Sequence, residues 1–274
     1  MRTYSLAYLT AGALTPAAML RLGAELGYAH VGLRLLPNGL GGPFQAWLDD
    51  PVQQRETLAA QRDTGVGVFD LEIIRIGEGF DPLAYRPLLE AGAALQAKAL
   101  LVAGDDTDEA RLVDGYARLC ELAAPYGLSC DLEFMPWTAV SDARAALRVV
   151  QAAGTPRVAG ILVDALHVGR SSTTLDDLRA LPRELLHYAQ ICDAPGGPDL
   201  TVPQMIHTAR CERQLPGEGV IDLAGIFAAL PADLPISVEV PHQVRVARLG
   251  QTAWARAALE ASRSVLNDPC ESAP

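Results

Sequence analysis

Apolar runs of strand length alternate with amphipathic stretches of helical length along the whole chain, and this alternation constrains the fold more than any single motif. The strand-like runs are Thr3–Leu9, His30–Leu36, Gly67–Ile76, Ala99–Ala103, Ser129–Met135, Ala159–Asp164, Leu186–Cys192 and Ile236–Val240, eight in all. Helical patterns fall between them at Pro16–Leu26, Pro51–Thr64, Pro82–Ala97, Glu109–Tyr126, Ser141–Ala153, Leu175–Leu181, Leu223–Leu230 and Val244–Leu266. Thr15-Pro16 and Asp81-Pro82 each place a capping oxygen before a proline at the first helical position. Asp106 or Thr107 reads as the start of the helix at Glu109. Strands separated by helices pair in parallel, and eight such units in 274 residues predict an α/β fold, a (β/α)8 TIM barrel in a single domain over 1–266. A doubly wound open sheet is the alternative, but Leu9-Thr10-Ala11-Gly12-Ala13 lacks its GxGxxG turn. Pro195–Pro203 reads as a long loop after the seventh strand, and 267–274 as a frayed C-terminal tail.

Composition narrows the function classes. The net charge is −11 and Lys98 is the only lysine, so a phosphate-backbone surface is not expected and nucleic acid is excluded as a partner. The five cysteines (Cys120, Cys130, Cys192, Cys211 and Cys270) are odd in number, irregularly spaced and without CxxC, which fits a reducing, cytoplasmic compartment. No apolar run approaches the roughly 20 residues of a membrane helix, and the N-terminal apolar stretch is too short for a signal peptide.

The chemistry is concentrated at the strand ends. Glu133, Asp164, Gln190 and Glu239 each lie at or near the C-terminal end of one of four successive strands, and each offers an oxygen ligand. In a closed barrel those ends converge on one mouth, where active sites lie. Three carboxylates meeting there repel one another unless a cation sits between them, which points to a divalent metal. Oxygen-only ligation selects Mg or Mn, or Co or Zn with retained waters. Taken singly, each acid is as readily a helix cap or an ion-pair partner; Gln190 is the weakest ligand of the set. The same mouth receives Arg34, Glu72, Arg75, Trp137 and His167, followed by Asp193, Arg210, Arg213, Glu218 and His242. His167, three residues after Asp164, reads as a ligand, a substrate contact or a general acid/base. Arg34 and Arg75 either neutralise the carboxylates or grip a carboxylate or phosphate on the substrate. Trp137 reads as an apolar wall against a substrate, Phe134 as core, and His30 and His187 as structural. No GxSxG, HExxH or P-loop motif is present.

The run Asp131-Leu132-Glu133-Phe134-Met135-Pro136-Trp137 and the steps Asp164-Ala165-Leu166-His167 and Gln190-Ile191-Cys192-Asp193 resemble the xylose isomerase-like TIM-barrel superfamily. So do Arg213-Gln214-Leu215-Pro216-Gly217-Glu218-Gly219 and Val238-Glu239-Val240. This is the group of sugar phosphate isomerases and epimerases that also includes endonuclease IV. The resemblance spans almost the whole chain. It implies a Mn, Mg, Co or Zn ion held by Glu133, Asp164, Gln190 and Glu239, with His167 and Arg213 on substrate oxygens. It also implies a small-molecule substrate and, as relatives often are, a homodimer or homotetramer. Two departures stand out. The strand-seven ligand of ketose 3-epimerases is usually His, whereas Gln190 looks more like the 3-dehydroshikimate dehydratase branch. Arg34 stands where many relatives carry a glutamate. Both departures favour a substrate with an acid group.

The expectation that follows is a metal-dependent isomerase or epimerase acting next to a carbonyl through an enediolate-like intermediate, with Glu133 or Glu239 as base. A hydro-lyase acting on a carboxylated keto substrate, with His167 as acid, is the alternative. An endonuclease IV-like nuclease is disfavoured by the acidic balance and the five histidines. A non-catalytic barrel that only binds metal or ligand is the remaining class.

Overall fold

The computed structural model describes residues 2–38, 42–196 and 200–268. Eight parallel strands close on themselves in sequence order: β1 (Tyr4–Leu6), β2 (His30–Leu33), β3 (Gly67–Ile76), β4 (Ala99–Gly104), β5 (Ser129–Glu133), β6 (Ala159–Asp164), β7 (Ala189–Ile191) and β8 (Ile236–Val238). Outside them lie α1 (Tyr8–Ala11), α2 (Pro16–Leu26), α3 (Pro51–Thr64), α4 (Arg86–Ala94), α5 (Glu109–Ala123) and α6 (Ala143–Ala152). The second half adds α7 (Ala165–Arg170), α8 (Leu175–Arg179), α9 (Val202–Cys211), α10 (Leu223–Ala229), α11 (Gln243–Leu249) and α12 (Gln251–Val265). This is the (β/α)8 barrel that the alternation predicts.

Strand alternation sorts side chains into two cores. Val31, Leu33, Leu100, Val102, Leu132, Ile161, Val163, Ile191 and Val238 point outward and join the large apolar layer beneath the helices. Phe69, Ala99, Leu101, Leu162 and Tyr188 form a separate apolar cluster within the barrel. The residues that share the inward parity at the upper strand ends are Glu133, Asp164, Gln190 and Glu239. Their level is fixed by register: Asp164 pairs with Gln190, and Gln190 with Ser237. Lower down, Gly32 leaves room for the buried Asp70, because a Cβ there would lie 2.9 Å from its Oδ1.

The parallel ladder between β1 and β8 closes the barrel, and one hydroxyl reinforces it. Thr10 donates to the Val238 carbonyl at 2.8 Å and accepts from the Val240 amide at 2.7 Å. Trp254, fully buried on α12, donates its indole N–H to the Val240 carbonyl at 2.7 Å. These bonds hold the chain segment that carries Glu239.

Several boundaries differ from the sequence expectation, each for a local reason. The run expected as one strand over 3–9 splits into β1 and the short α1, because Thr10 must turn back to bond the last strand. The helix expected at Val244–Leu266 breaks at Gly250, whose φ of 83° is left-handed. The cap of α5 is Asp108, which accepts from the Arg111 amide at 3.0 Å; Asp106 instead pairs with the Arg111 guanidinium. Part of the expected loop Pro195–Pro203 is helix: α9 opens with a Thr201/Gln204 capping box. Residues 197–199 of that loop lie outside the described residues. Of the segment 267–274 expected to be a tail, Asp268 pairs with Arg2 at 3.3 Å and accepts from Tyr4 Oη at 2.7 Å. Residues 269–274, Cys270 included, lie outside the described residues. No helix among the described residues is long and apolar enough to cross a membrane.

Replacing Thr10 by the near-isosteric Val strands the Val240 amide in the interior. It is expected to lower unfolding free energy by about 1–3 kcal/mol, read from the midpoint of urea denaturation.

Candidate metal and active site

Four elements deliver buried acids to the C-terminal mouth. Glu133 ends β5 and is 3% exposed; Asp164 ends β6 and is 0% exposed. Glu239 follows β8, and Glu72 lies on β3; both are buried. Asp164 has two local duties. Its Oδ1 accepts from the Leu166 amide at 2.8 Å, capping α7, and that short helix carries His167 back over the site. Glu133, Asp164 and His167 each bring one potential ligand atom to within 4.8 Å of the others. His167 Nε2 lies 3.6 Å from Glu133 Oε1 and 3.7 Å from Asp164 Oδ2.

Arg213, just beyond α9, ties this cluster to the last strand. One guanidinium nitrogen sits 2.7 Å from Asp164 Oδ2, another 2.6 Å from Glu239 Oε2, and Nε donates to the Ala209 carbonyl at 2.9 Å. Glu239 therefore stands beside the three-residue cluster, joined through Arg213 to Asp164. Arg34 answers Glu72 in the same way, Nη2 to Oε1 at 2.7 Å, with its guanidinium carbon 4.6 Å from the centre of the Tyr8 ring.

The electrostatics are those of a centre short of positive charge. Four buried carboxylates (Glu72, Glu133, Asp164, Glu239) face two buried guanidiniums (Arg34, Arg213). Burial, with Asp164 and Glu239 close by, drives the Glu133 carboxyl well above its usual range. Burial raises Glu239 to about 8 even though Arg213 pulls it down. Burial lowers His167 to about 4, so its imidazole is neutral near pH 7. Burial works against the Arg213 charge as well, but Asp164 and Glu239 outweigh it and hold the guanidinium charged.

A divalent cation fits this donor set. Glu133 Oε1, His167 Nδ1 and both amide atoms of the fully buried Gln190 have no hydrogen-bond partner among the described residues. An unpaired buried polar group costs about 1–3 kcal/mol, so a side chain orphaned at the register position of Asp164 is suited to ligation. Each carboxylate held by Arg213 retains lone pairs for an ion. Glu133, Asp164 and His167 would hold it, with the Gln190 amide at the register level of Asp164; Glu239, expected as a ligand, stands outside that three-residue cluster.

The other residues read from the sequence are distributed as follows. A cavity of about 310 Å³ above the cluster is lined by Arg34, Glu72, Arg75, Glu133, Trp137, His167, Arg213 and Glu239. Trp137 meets the His167 ring edge to face at 5.0 Å and forms part of that wall, whereas Phe134 is wholly buried in the outer core. Arg75 is held by Asp105 through a two-pronged pair at 2.6 and 2.8 Å. Asp193 does not face the cavity; it accepts from the Gly217 and Ile221 amides and shapes the loop after α9. Glu218 pairs at the surface with Arg245, and His242 packs on Trp254. Cys192 is buried against Arg213, 3.4 Å from its nitrogen, and burial pushes the thiol up to about 12. His187 lies at the opposite barrel end, bonded to Asp131 at 2.8 Å. Asn38, Met135 and Gln243, to which sequence reasoning gave no role, also line the cavity, as does Arg210, which it placed at the mouth. Only Arg210 carried a signal, three residues before Arg213 on what proved to be a helix.

The chain belongs to the xylose isomerase-like TIM-barrel family, which matches it over residues 20–265. Solved structures share the fold at low identity. The IolI protein with a bound zinc atom superposes with a TM-score of 0.79 at 18% identity, covering 98% of this chain and 99% of that one. A D-allulose 3-epimerase from Methylomonas sp., in complex with D-allulose, gives 0.69 at 18%, covering 96% of each chain. The probable 3-DHS dehydratase AsbF of Bacillus anthracis gives 0.72 at 14%, covering 95% and 98%. No curated protein matches the chain.

The pKa values set the pH behaviour of the metal-free protein. The Glu239 value lies near 8 when folded against 4.5 ordinarily, so its stabilising contribution is complete below about pH 4.5 and is lost as pH rises through 8. His167, lowered to about 4 from 6.5, acts oppositely, but its contribution stops changing above pH 6.5. Metal-free protein is therefore expected to lose stability between pH 6.5 and 8. The Glu239→Gln variant should show a shallower slope, and added Mn should flatten it in the wild type. Thermal denaturation across that range reads all three.

Proposed function

We propose that the protein is a divalent-metal-dependent isomerase or epimerase that moves the proton next to a carbonyl on a small hydroxylated substrate. The observation that carries this reading is the buried, charge-deficient cluster of Glu133, Asp164 and His167, with the orphaned Gln190 amide at the level of Asp164.

A divalent ion in this site supplies Lewis-acid polarisation of the carbonyl and lowers the pKa of the adjacent C–H. The chain's own residues do the rest. Glu133 serves as base through the carboxylate oxygen that the ion would leave free. Glu239, held by Arg213 through its other side, stands as the second carboxylate able to give or receive that proton. The neutral His167 ring, steadied by Trp137, offers a hydrogen bond to a substrate oxygen rather than a fixed charge. Arg213 holds Asp164 and Glu239 in place, and its charge partly offsets the burial that raises Glu239. The enclosing wall of Trp137, Met135 and Leu101 limits water at the reacting carbon. Return of the proton to the neighbouring carbon gives an isomer, and return to the opposite face gives an epimer.

A second reading, dehydration of a carboxylated keto compound, is supported by Gln190. An amide at the end of the seventh strand resembles the dehydratase branch rather than the ketose epimerases. Loss of a β-hydroxyl after the same proton abstraction would give that product, and the same site serves both outcomes.

Glu133→Gln should abolish turnover, at least about 1000-fold, while the fold and the denaturation midpoint persist. The assay is product formation from fructose and from 3-dehydroshikimate after chelation and restoration of Mn. Turnover undiminished in the chelated protein would overturn the metal-dependent reading, and turnover of the acid alone would select the dehydratase.

A further inference from the structure

Among the described residues, one cation in the cavity wall makes no ion pair. Arg34 is answered by Glu72, Arg75 by Asp105, and Arg213 by Asp164 and Glu239. Arg210 lines the same cavity from the last turn of α9, and among the described residues it makes no ion pair or side-chain hydrogen bond. A basic residue in the last turn of a helix is commonly placed there for the helix dipole alone. That role needs only a solvated side chain, and Arg210 is partly buried. Its foremost charged neighbours are also cations. Burial first, then Arg75 and Arg34, push its pKa down, while Asp105 acts the other way. Like charges are thus gathered in a chain whose net charge is −11. Arg34 adds a second observation: it is 6% exposed, and its Nε has no partner. A donor left open in a buried guanidinium is costly unless a bound group uses it.

We propose that Arg210, together with the open edge of Arg34 and with Arg75, recognises an oxyanion on the substrate, so that the molecule turned over carries a carboxylate or phosphate ester as well as a carbonyl. This rests on the reading of the site as a metal-dependent proton-transfer centre and names its substrate class. The metal cluster draws on β5, β6 and α7, and the arginines on β2, β3 and α9. One cavity of about 310 Å³ spans both groups, a size that suits a small sugar acid or sugar phosphate. A planar guanidinium offers two parallel donors to either oxyanion, and the unpaired charge of Arg210 favours an anion over a neutral sugar.

The test is calorimetric titration of Mn-loaded protein with fructose, fructose 6-phosphate and 2-ketogluconate, which share a hydroxy-keto skeleton and differ in the charged group. At least one anion should bind roughly 10- to 100-fold more tightly than fructose. Which one does so separates phosphate from carboxylate recognition. Arg210→Ala should erase that preference while Mn affinity and the thermal midpoint stay unchanged, and Arg210→Lys should restore part of it. A merely structural arginine would not alter anion selectivity at constant stability. Equal binding of all three compounds, no binding of either anion, or an anion preference that survives Arg210→Ala overturns the inference. The same titrations are run on chelated protein: Mn uptake without anion preference sinks this inference alone. Anion preference in a protein that takes up no divalent metal sinks the metal-dependent function and leaves the anion wall standing.

Discussion

The Arg213 guanidinium joins the end of β6 to the end of β8 through two buried carboxylates, and the active end of the barrel depends on it. Without a cation at that point, Asp164 and Glu239 would face each other unpaired in a low-dielectric mouth. The chain solves this with a residue that does not lie on a strand. Arg213 follows α9, its Nε is fixed to the Ala209 carbonyl, and Asp193 organises the loop beyond it. The loop after β7 is therefore part of the site's framework as well as its wall.

The charge balance beneath the cavity gives the site its chemical character. Arg213 and Arg34 neutralise part of the acid cluster, and Glu133 is left with an unpartnered oxygen beside Asp164 and a neutral imidazole. The same low dielectric that raises the Glu133 and Glu239 carboxyls makes a divalent ion strongly favourable there. In the same cavity wall, beside the Arg34–Glu72 and Arg75–Asp105 pairs, Arg210 makes no ion pair among the described residues. A molecule with an electron-rich carbonyl at one end and an oxyanion at the other would match that arrangement.

Much of the fold was legible because a barrel repeats one physical rule. Outward residues of each strand meet helices and are apolar, as Ile161, Val163 and Ile191 are, and cap-and-proline signals at Thr15-Pro16 and Asp81-Pro82 mark helix starts between strands. The strand-end acids were legible for the same reason, since a charged residue closing an apolar run is conspicuous. Less was legible where polar composition concealed regular structure. The expected loop Pro195–Pro203 hid the start of α9, because its glycine- and proline-rich composition outweighs the single cap at Thr201, and Arg210 was read only as part of the seventh loop. His167 was visible, but its closeness to Glu133 arises from the turn that Asp164 caps, which strand periodicity does not encode.

From its sequence alone the chain determines eight parallel strand–helix units and places Glu133, Asp164, Gln190 and Glu239 at the ends of four of them, because side-chain alternation and hydrophobic period are local properties. Tertiary structure alone decides which charges answer one another. Arg213 reaches Asp164 and Glu239, Arg34 reaches Glu72, Arg75 reaches Asp105, and Arg210 is left facing the cavity. Those pairings join residues as far apart in the chain as Arg34 and Glu72 or Asp164 and Arg213, and closure of the barrel brings them within a few ångströms. The energies of buried charges depend on distance and dielectric, which no sequence pattern contains.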